Sequence, residues 1–333
     1  MERGTTVCGG QAEHPYRRHE LDCPGRSPAT EHNARKMKRS FTSDSGRVVS
    51  YEDIGDPNGR LPVLFLHGTP GSRLQLELLP AALRNGLRWI AFDRAGYGAS
   101  DRQPGLTMTE VAATGEALAK HLGLDAFHVL GFSGGGPYAL ACARAMPGRV
   151  RTVHLASSSG PAELPEVRSA FGLQDHTIFI LVRHAPWLFR ALLRLRMAGV
   201  QRRPERFVAQ FAAKMTTRDH ALLMAPDVLA KLCDDLREAL RQGTAGMADD
   251  FAVLNRPWPF HLEDIRVPVH VWQGAQDHVN SLQVGLAMAA HLPTAQFHLL
   301  ESGSHTLLLT HAAEIRAALD QDTAPAASQE PAK

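Results

Sequence analysis

Phe127-His128-Val129-Leu130-Gly131-Phe132-Ser133-Gly134-Gly135-Gly136-Pro137 is the stretch on which the reading of this 333-residue chain turns. An apolar run ends in Gly131-Phe132-Ser133-Gly134-Gly135 and gives way to an alanine-rich segment, so strand, sharp turn and helix follow one another around a G-x-S-x-G pattern. A serine held there on a strained turn at positive φ leaves no room for a Cβ two residues to either side, and Gly131 and Gly135 supply that room. Ser133 then projects its hydroxyl above the sheet, beside the helix start at Gly134. A glycine-rich turn with a capping or phosphate-binding serine is the competing interpretation. Neither G-x-G-x-x-G nor G-x-x-x-x-G-K-[ST] occurs, which weakens the nucleotide version.

Outward from this stretch, short apolar runs alternate with helical patterns. Leu61–Leu66, Arg88–Phe92, Phe127–Gly131, Val150–Ala156, Val267–Trp272 and Gln296–Leu300 read as buried strands. Leu74–Arg84, Thr109–His121, Pro137–Ala145, Leu282–His291 and Thr306–Leu319 read as helices. That alternation predicts an α/β fold, a mostly parallel sheet with helices on both faces. Arg47–Glu52 and the turn Gly55-Asp56-Pro57-Asn58-Gly59 predict an antiparallel edge hairpin. From residue 160 to 260 helical runs (Thr177–Arg196, Phe207–Lys214, Pro226–Leu240) follow one another without a convincing strand, so a helical insertion is expected there. The core is then 37–159 plus 261–320. Residues 1–36 read as a disordered leader, with Met37 a plausible start, and 321–333 as a loose tail.

A serine hydroxyl needs a base, and the base an orienting acid. Asp277 lies just beyond the run Val267–Trp272, and His305 just beyond Gln296–Leu300, both at the carboxyl ends of predicted strands, where open α/β sheets bind ligands. Ser133, Asp277 and His305 therefore form the expected catalytic triad. Rivals are His278 as base and Glu163 or Asp264 as acid, with His278 disfavoured by its adjacency to Asp277. His67-Gly68-Thr69-Pro70-Gly71-Ser72 follows the first of these runs, and the backbone N–H groups of Thr69 and Gly134 are the expected oxyanion hole, with His67 and Gly68 supporting the loop.

Composition excludes more than it names. With 36 basic and 34 acidic side chains, the net charge of +2 gives no global field that would draw the chain to nucleic acid. Four cysteines exclude a disulfide scaffold and favour a reducing, cytoplasmic setting. No uncharged apolar run approaches the roughly 20 residues of a membrane span. Cys8, His14, His19 and Cys23 lack the paired spacing of a zinc site, so no metal is expected. Between Arg183 and Arg206 seven arginines face one acid, Glu205, interleaved with Trp187, Phe189 and leucines; this reads as an amphipathic helix, or as a lipid-facing or anion-attracting surface. Met247, Phe251, Trp258 and Phe260 read as packing residues.

The serine elbow, the His67-Gly68-Thr69-Pro70 loop, Phe92-Asp93-Arg94-Ala95-Gly96-Tyr97-Gly98-Ala99-Ser100 and the Asp277 and His305 loops together resemble the α/β-hydrolase fold superfamily over roughly residues 40–320. The resemblance implies a cofactor-free Ser-His-Asp hydrolase with a helical cap between the sixth strand and the acid loop. Two positions depart from the usual pattern, Ser304 where glycine is common and Ala95 where proline is. Members with an aspartate nucleophile are disfavoured because position 133 is serine. The expected activity is hydrolysis of a small-molecule ester, or an amide, through an acyl-enzyme on Ser133. A C–C bond hydrolase, a perhydrolase, a proline-iminopeptidase-like enzyme or a non-catalytic small-molecule receptor are the alternatives. Oligomeric state is left open, a homodimer included.

Overall fold

A computed structural model describes residues 39–57 and 62–323; the leader, with Cys8, His14, His19, Cys23 and Met37, and the end of the tail lie outside these. Among the described residues eight strands form one sheet in the order β1-β2-β4-β3-β5-β6-β7-β8. They are β1 (Arg39–Thr42), β2 (Val48–Gly55), β3 (Val63–Leu66), β4 (Arg88–Phe92), β5 (Phe127–Phe132), β6 (Val150–Ala156), β7 (Val269–Gly274) and β8 (Ala295–Leu300). β2 is antiparallel to both neighbours, and every other pair after β1 is parallel. The expected α/β architecture is thus observed. The edge hairpin differs from the reading: β2 turns back on β1 through Ser43–Arg47, where Ser43 N–H donates to the Arg47 carbonyl. The chain after Gly55 instead passes to β3, and β4 lies between β2 and β3.

The central strands β3 to β7 are buried on both faces, as their unbroken apolar runs require, while the edge strands β1 and β8 are partly exposed. Leu64, Leu66, Ile90, Phe92, Val129 and Leu155 serve one core, and Val63, Phe65, Trp89, Ala91 and Leu130 the other. This is the period-two alternation of a strand applied to a sheet covered on both sides. Among the flanking helices, α1 (Ala81–Arg84) is short because Pro80 separates it from a 3₁₀ turn at Arg73–Leu78, dividing the single helix read from sequence. α2 (Met108–His121) starts at a capping box: Glu110 N–H donates to Thr107 Oγ1 and Thr107 N–H to the Glu110 carboxylate. α3 (Gly136–Ala145) follows the serine turn.

Between β6 and β7 the described chain forms seven α-helices, a 3₁₀ turn (Leu262–Asp264) and no strand: α4 (Pro165–Ser169), α5 (Leu173–His184), α6 (Pro186–Arg196), α7 (Pro204–Ala212), α8 (Thr217–Leu223), α9 (Pro226–Ala239) and α10 (Ala245–Leu254). α5 and α6 divide the run Thr177–Arg196 because Pro186 has no N–H to continue the ladder and suits a first helical turn instead. The last helices among the described residues are α11 (Leu282–His291), α12 (Leu307–Thr310) and α13 (Ala312–Thr323), the last two replacing one expected helix. Among the described residues no helix is long and apolar enough to cross a membrane.

Candidate active site

Register brings the carboxyl ends of the parallel strands to one edge: Gly131 of β5 sits opposite Leu66 of β3 and Leu155 of β6, and Gly274 of β7 opposite Leu300 of β8. Ser133, Asp277 and His305 follow these ends. Ser133 adopts φ 52°, a left-handed conformation that a side-chain-bearing residue holds only where its surroundings enforce it. A Cβ at Gly131 would lie 2.6 Å from Gly136 Cα, and one at Gly135 only 2.0 Å from the Leu66 carbonyl oxygen. Both glycines are therefore steric necessities of the turn.

His305 is 6% exposed, and its Nδ1 lies 3.0 Å from Asp277 Oδ2. A carboxylate only accepts, so Nδ1 carries the proton and Nε2 is left as the basic nitrogen. Asp277 Oδ1 accepts from the N–H of Val279 (2.8 Å) and of Asn280 (2.9 Å). Burial alone would raise this carboxyl, but His305 and the two N–H donors outweigh it and hold Asp277 below the usual range. Asn280 is fixed in turn through its side-chain donation to the Ser157 carbonyl (2.7 Å), and Ser157 itself has φ 47°. Neither residue was visible as a contributor in the sequence, since each is an ordinary polar loop residue until the fold sets it behind the acid. The rivals lie elsewhere: His278 is exposed, Glu163 accepts from Trp258 N–H, and Asp264 accepts from His261 N–H.

Ser133, His305, Gly68 and Thr69 line one cavity of about 200 Å³, together with Phe132, Phe207, Phe211, Leu223, Leu232 and Leu236. The inserted helices α7, α8 and α9 thus supply much of its apolar wall. Met247 and Trp258 are buried as packing residues. Gly134 and Thr69 are in close approach, since a Cβ on Gly134 would come 2.5 Å from Thr69 Oγ1. His67 is fully buried; its Nδ1–H donates to the Gly68 carbonyl (2.8 Å) and its Nε2 accepts from Arg94 N–H (3.4 Å). Burial, with the Arg94 charge, holds it neutral, so it serves the loop rather than proton transfer. Gly68 N–H donates to Gln75 Oε1 at 2.9 Å.

The insertion also reaches the loops through carboxylates. Asp235 of α9 accepts from Ser72 N–H (2.8 Å), Ser72 hydroxyl (2.6 Å) and Gln75 amide (3.1 Å), while burial raises it to about 7. Asp219 of α8 accepts from the Thr306 hydroxyl at 2.6 Å, next to His305. Neither carboxylate stood out in the sequence, where Asp235 falls inside the helical run Pro226–Leu240 and Asp219 between two such runs.

A second cluster lies away from this edge: His154 of β6, His270 of β7 and Asp322 of α13 bring metal-type donor atoms within 4.8 Å of one another. The two imidazoles stack face to face, with centroids 4.5 Å apart and 7° between planes, so the rings lie in parallel planes rather than converging on one ion. Asp322 Oδ2 accepts from His154 Nε2 at 3.1 Å and lies 3.2 Å from His270 Nε2 without a hydrogen bond to it.

A strained serine elbow at the carboxyl edge of such a sheet, with a buried His–Asp pair at the same cavity, defines the α/β-hydrolase class. Residues 62–312 match the alpha/beta hydrolase fold family, and the chain belongs to it. It is 38% identical over 137 residues to a non-heme chloroperoxidase of Streptomyces lividans, a match covering 40% of this chain and about half (49%) of that protein. It is 25% identical over 298 residues to a proline iminopeptidase of Lacticaseibacillus rhamnosus, covering 86% and 98% of the two chains. A hydrolase from Pseudomonas aeruginosa superposes with TM-score 0.65 at 20% identity, covering 87% of this chain and 100% of that one, a likeness of fold.

Proposed function

We propose that this chain is a serine hydrolase of carboxylic esters working through an acyl-enzyme on Ser133. The observation that carries the reading is the buried His305–Asp277 pair at the same apolar cavity as the strained Ser133. Ser133 Oγ attacks the ester carbonyl as His305 Nε2 takes its proton. Asp277 keeps the tautomer and stabilises the imidazolium. Thr69 and Gly134 N–H groups receive the developing oxyanion, the leaving alcohol takes the proton back, and water activated by His305 releases the acid. In this reading residues 160–260 cap a core of 37–159 and 261–320, no metal or organic cofactor takes part, and the enzyme acts in the cytoplasm.

Esters are favoured over peptides with a free amino terminus by the cavity wall. An aminopeptidase needs an anionic group for the substrate's ammonium, and Asp235, the carboxylate in the lining, is taken up by Ser72 and Gln75 and raised by burial to about 7. A cavity of about 200 Å³ suits short and medium acyl chains. The test is a fluorophosphonate probe together with p-nitrophenyl esters from acetate to palmitate. Labelling lost in Ser133→Ala, with butyrate to octanoate turned over and palmitate poorly, is expected. Absence of both labelling and turnover would favour a binding protein, and labelling without ester turnover a peptide or C–C bond substrate.

A further inference from the structure

We infer that the outward face of α6, with its arginine margins, docks on an anionic phospholipid surface. α6 buries Phe189 and Leu193 inward, Phe189 meeting the Phe251 ring at 5.5 Å. The opposite face should then be polar on a helix facing water. It is not: Trp187 is 72% exposed, Leu195 74% and Leu192 45%, with Ala191 exposed between them. Positions four apart drift only about 40° around a helix of 3.6 residues per turn, so Trp187, Ala191 and Leu195 form one line. Neighbouring α5 adds Leu173 (86% exposed) and Ile180 (55%).

The charges lie at the margins. Arg194 and Arg196 flank the apolar line, and Arg202 and Arg203 follow the helix, all exposed. Beside Trp187 there is a hollow lined by Arg102, Arg190, Arg194 and Arg202, of which Arg102 and Arg190 both hold Asp249. An apolar ridge edged by guanidinium groups matches acyl chains beneath phosphate headgroups, and the geometry is that of a helix lying in the interface rather than spanning it. A second copy of the chain fits less well. A two-fold contact sets the same patch against itself and would oppose arginine to arginine.

The test uses the full chain and vesicles of phosphatidylcholine alone or mixed with phosphatidylglycerol. Three of the four tryptophans are buried (Trp89, Trp258, Trp272), so a shift in intrinsic fluorescence on adding vesicles is assigned to the exposed Trp187. Co-sedimentation with the anionic vesicles and a blue shift are expected, with at least tenfold weaker binding to neutral vesicles. Trp187→Ser with Leu195→Ser should abolish both signals, and Arg194→Ser with Arg202→Ser should weaken anionic binding at least fivefold, each variant keeping the parent's melting temperature within a few degrees. Failure to bind either vesicle, or equal binding to both, overturns the proposal. So does a concentration-dependent dimer in sedimentation velocity that the Trp187/Leu195 pair abolishes, which would assign the face to a second copy.

Discussion

Arg94, in the loop after β4, and Asp250, on the inserted helix α10, form an ion pair with both side chains fully buried. Around it, Arg94 donates to the carbonyls of His67 (2.6 Å) and Gly68 (3.1 Å) and to Thr69 Oγ1 (3.0 Å), while Asp250 accepts from Thr69 Oγ1 (2.8 Å), Tyr97 (3.0 Å) and Tyr138 (2.7 Å). Burial opposes the charge on Arg94, but Asp250 outweighs it. The loop expected to hold the oxyanion is thus braced by a residue 181 positions away from Thr69 in sequence.

Removing one partner strands the other charge, so Asp250→Ala should cost about 3–5 kcal/mol, read as a fall in melting temperature. The double variant Arg94→Met with Asp250→Leu should regain part of that stability. Its kcat on p-nitrophenyl butyrate should stay low, because the His67 and Gly68 carbonyls and Thr69 have lost their donors. Full recovery of turnover in the double variant would show that the pair serves stability alone.

These residues mark where sequence reading stops. The strands and the Ser133, Asp277 and His305 loops were legible because periodicity and glycine spacing are local signals, and β4, β6 and α11 fall where the patterns put them. Asp250, Asp235 and Asp219 were not, since a carboxylate looks the same in sequence whether it faces water or buried donors far along the chain, Arg94 for Asp250, Ser72 and Gln75 for Asp235 and Thr306 for Asp219. The split of α12 from α13 at His311 likewise has no proline or glycine to announce it.

Asp277→Asn tests the proposed orienting acid. The amide keeps the shape but favours the wrong imidazole tautomer, so kcat should fall on the order of 10⁴ with little change in KM. Asn280→Ala, which spares the Asp277 carboxylate and removes only the donation to Ser157, should cost far less. Equal losses from the two would contradict the triad assignment.

Gly135→Ala should damage the turn, because the new Cβ meets a backbone oxygen 2.0 Å away that no side-chain rotation relieves. Overpacking of this kind costs about 1–3 kcal/mol or more. Gly148→Ala is the control, having nothing within 4 Å of its added Cβ. Thermal melts of the two should separate clearly, and similar melting temperatures would mean that the elbow is looser than its geometry.

The histidine cluster under α13 predicts acid sensitivity. Burial lowers His128 and His154 from an ordinary value of 6.5 to about 4. His154 Nδ1 accepts from the Trp272 indole N–H (3.2 Å), so Nε2 carries the proton given to Asp322 and a second proton would break the Trp272 bond. Between pH 4 and 6.5 the unfolded chain binds protons that the folded chain refuses. Stability is therefore complete above about pH 6.5 and declines as pH falls, by up to about 1.4 kcal/mol per pH unit for each histidine. Asp235, raised from 3.8 to about 7 by burial, has the opposite sign and loses stability as pH rises through that range. His154→Gln separates the two, since it removes one histidine and leaves Asp235 in place. The variant's melting temperature should fall less steeply than the parent's between pH 6.5 and 4, and parallel curves would show that His154 is not among the groups protonated on acid unfolding.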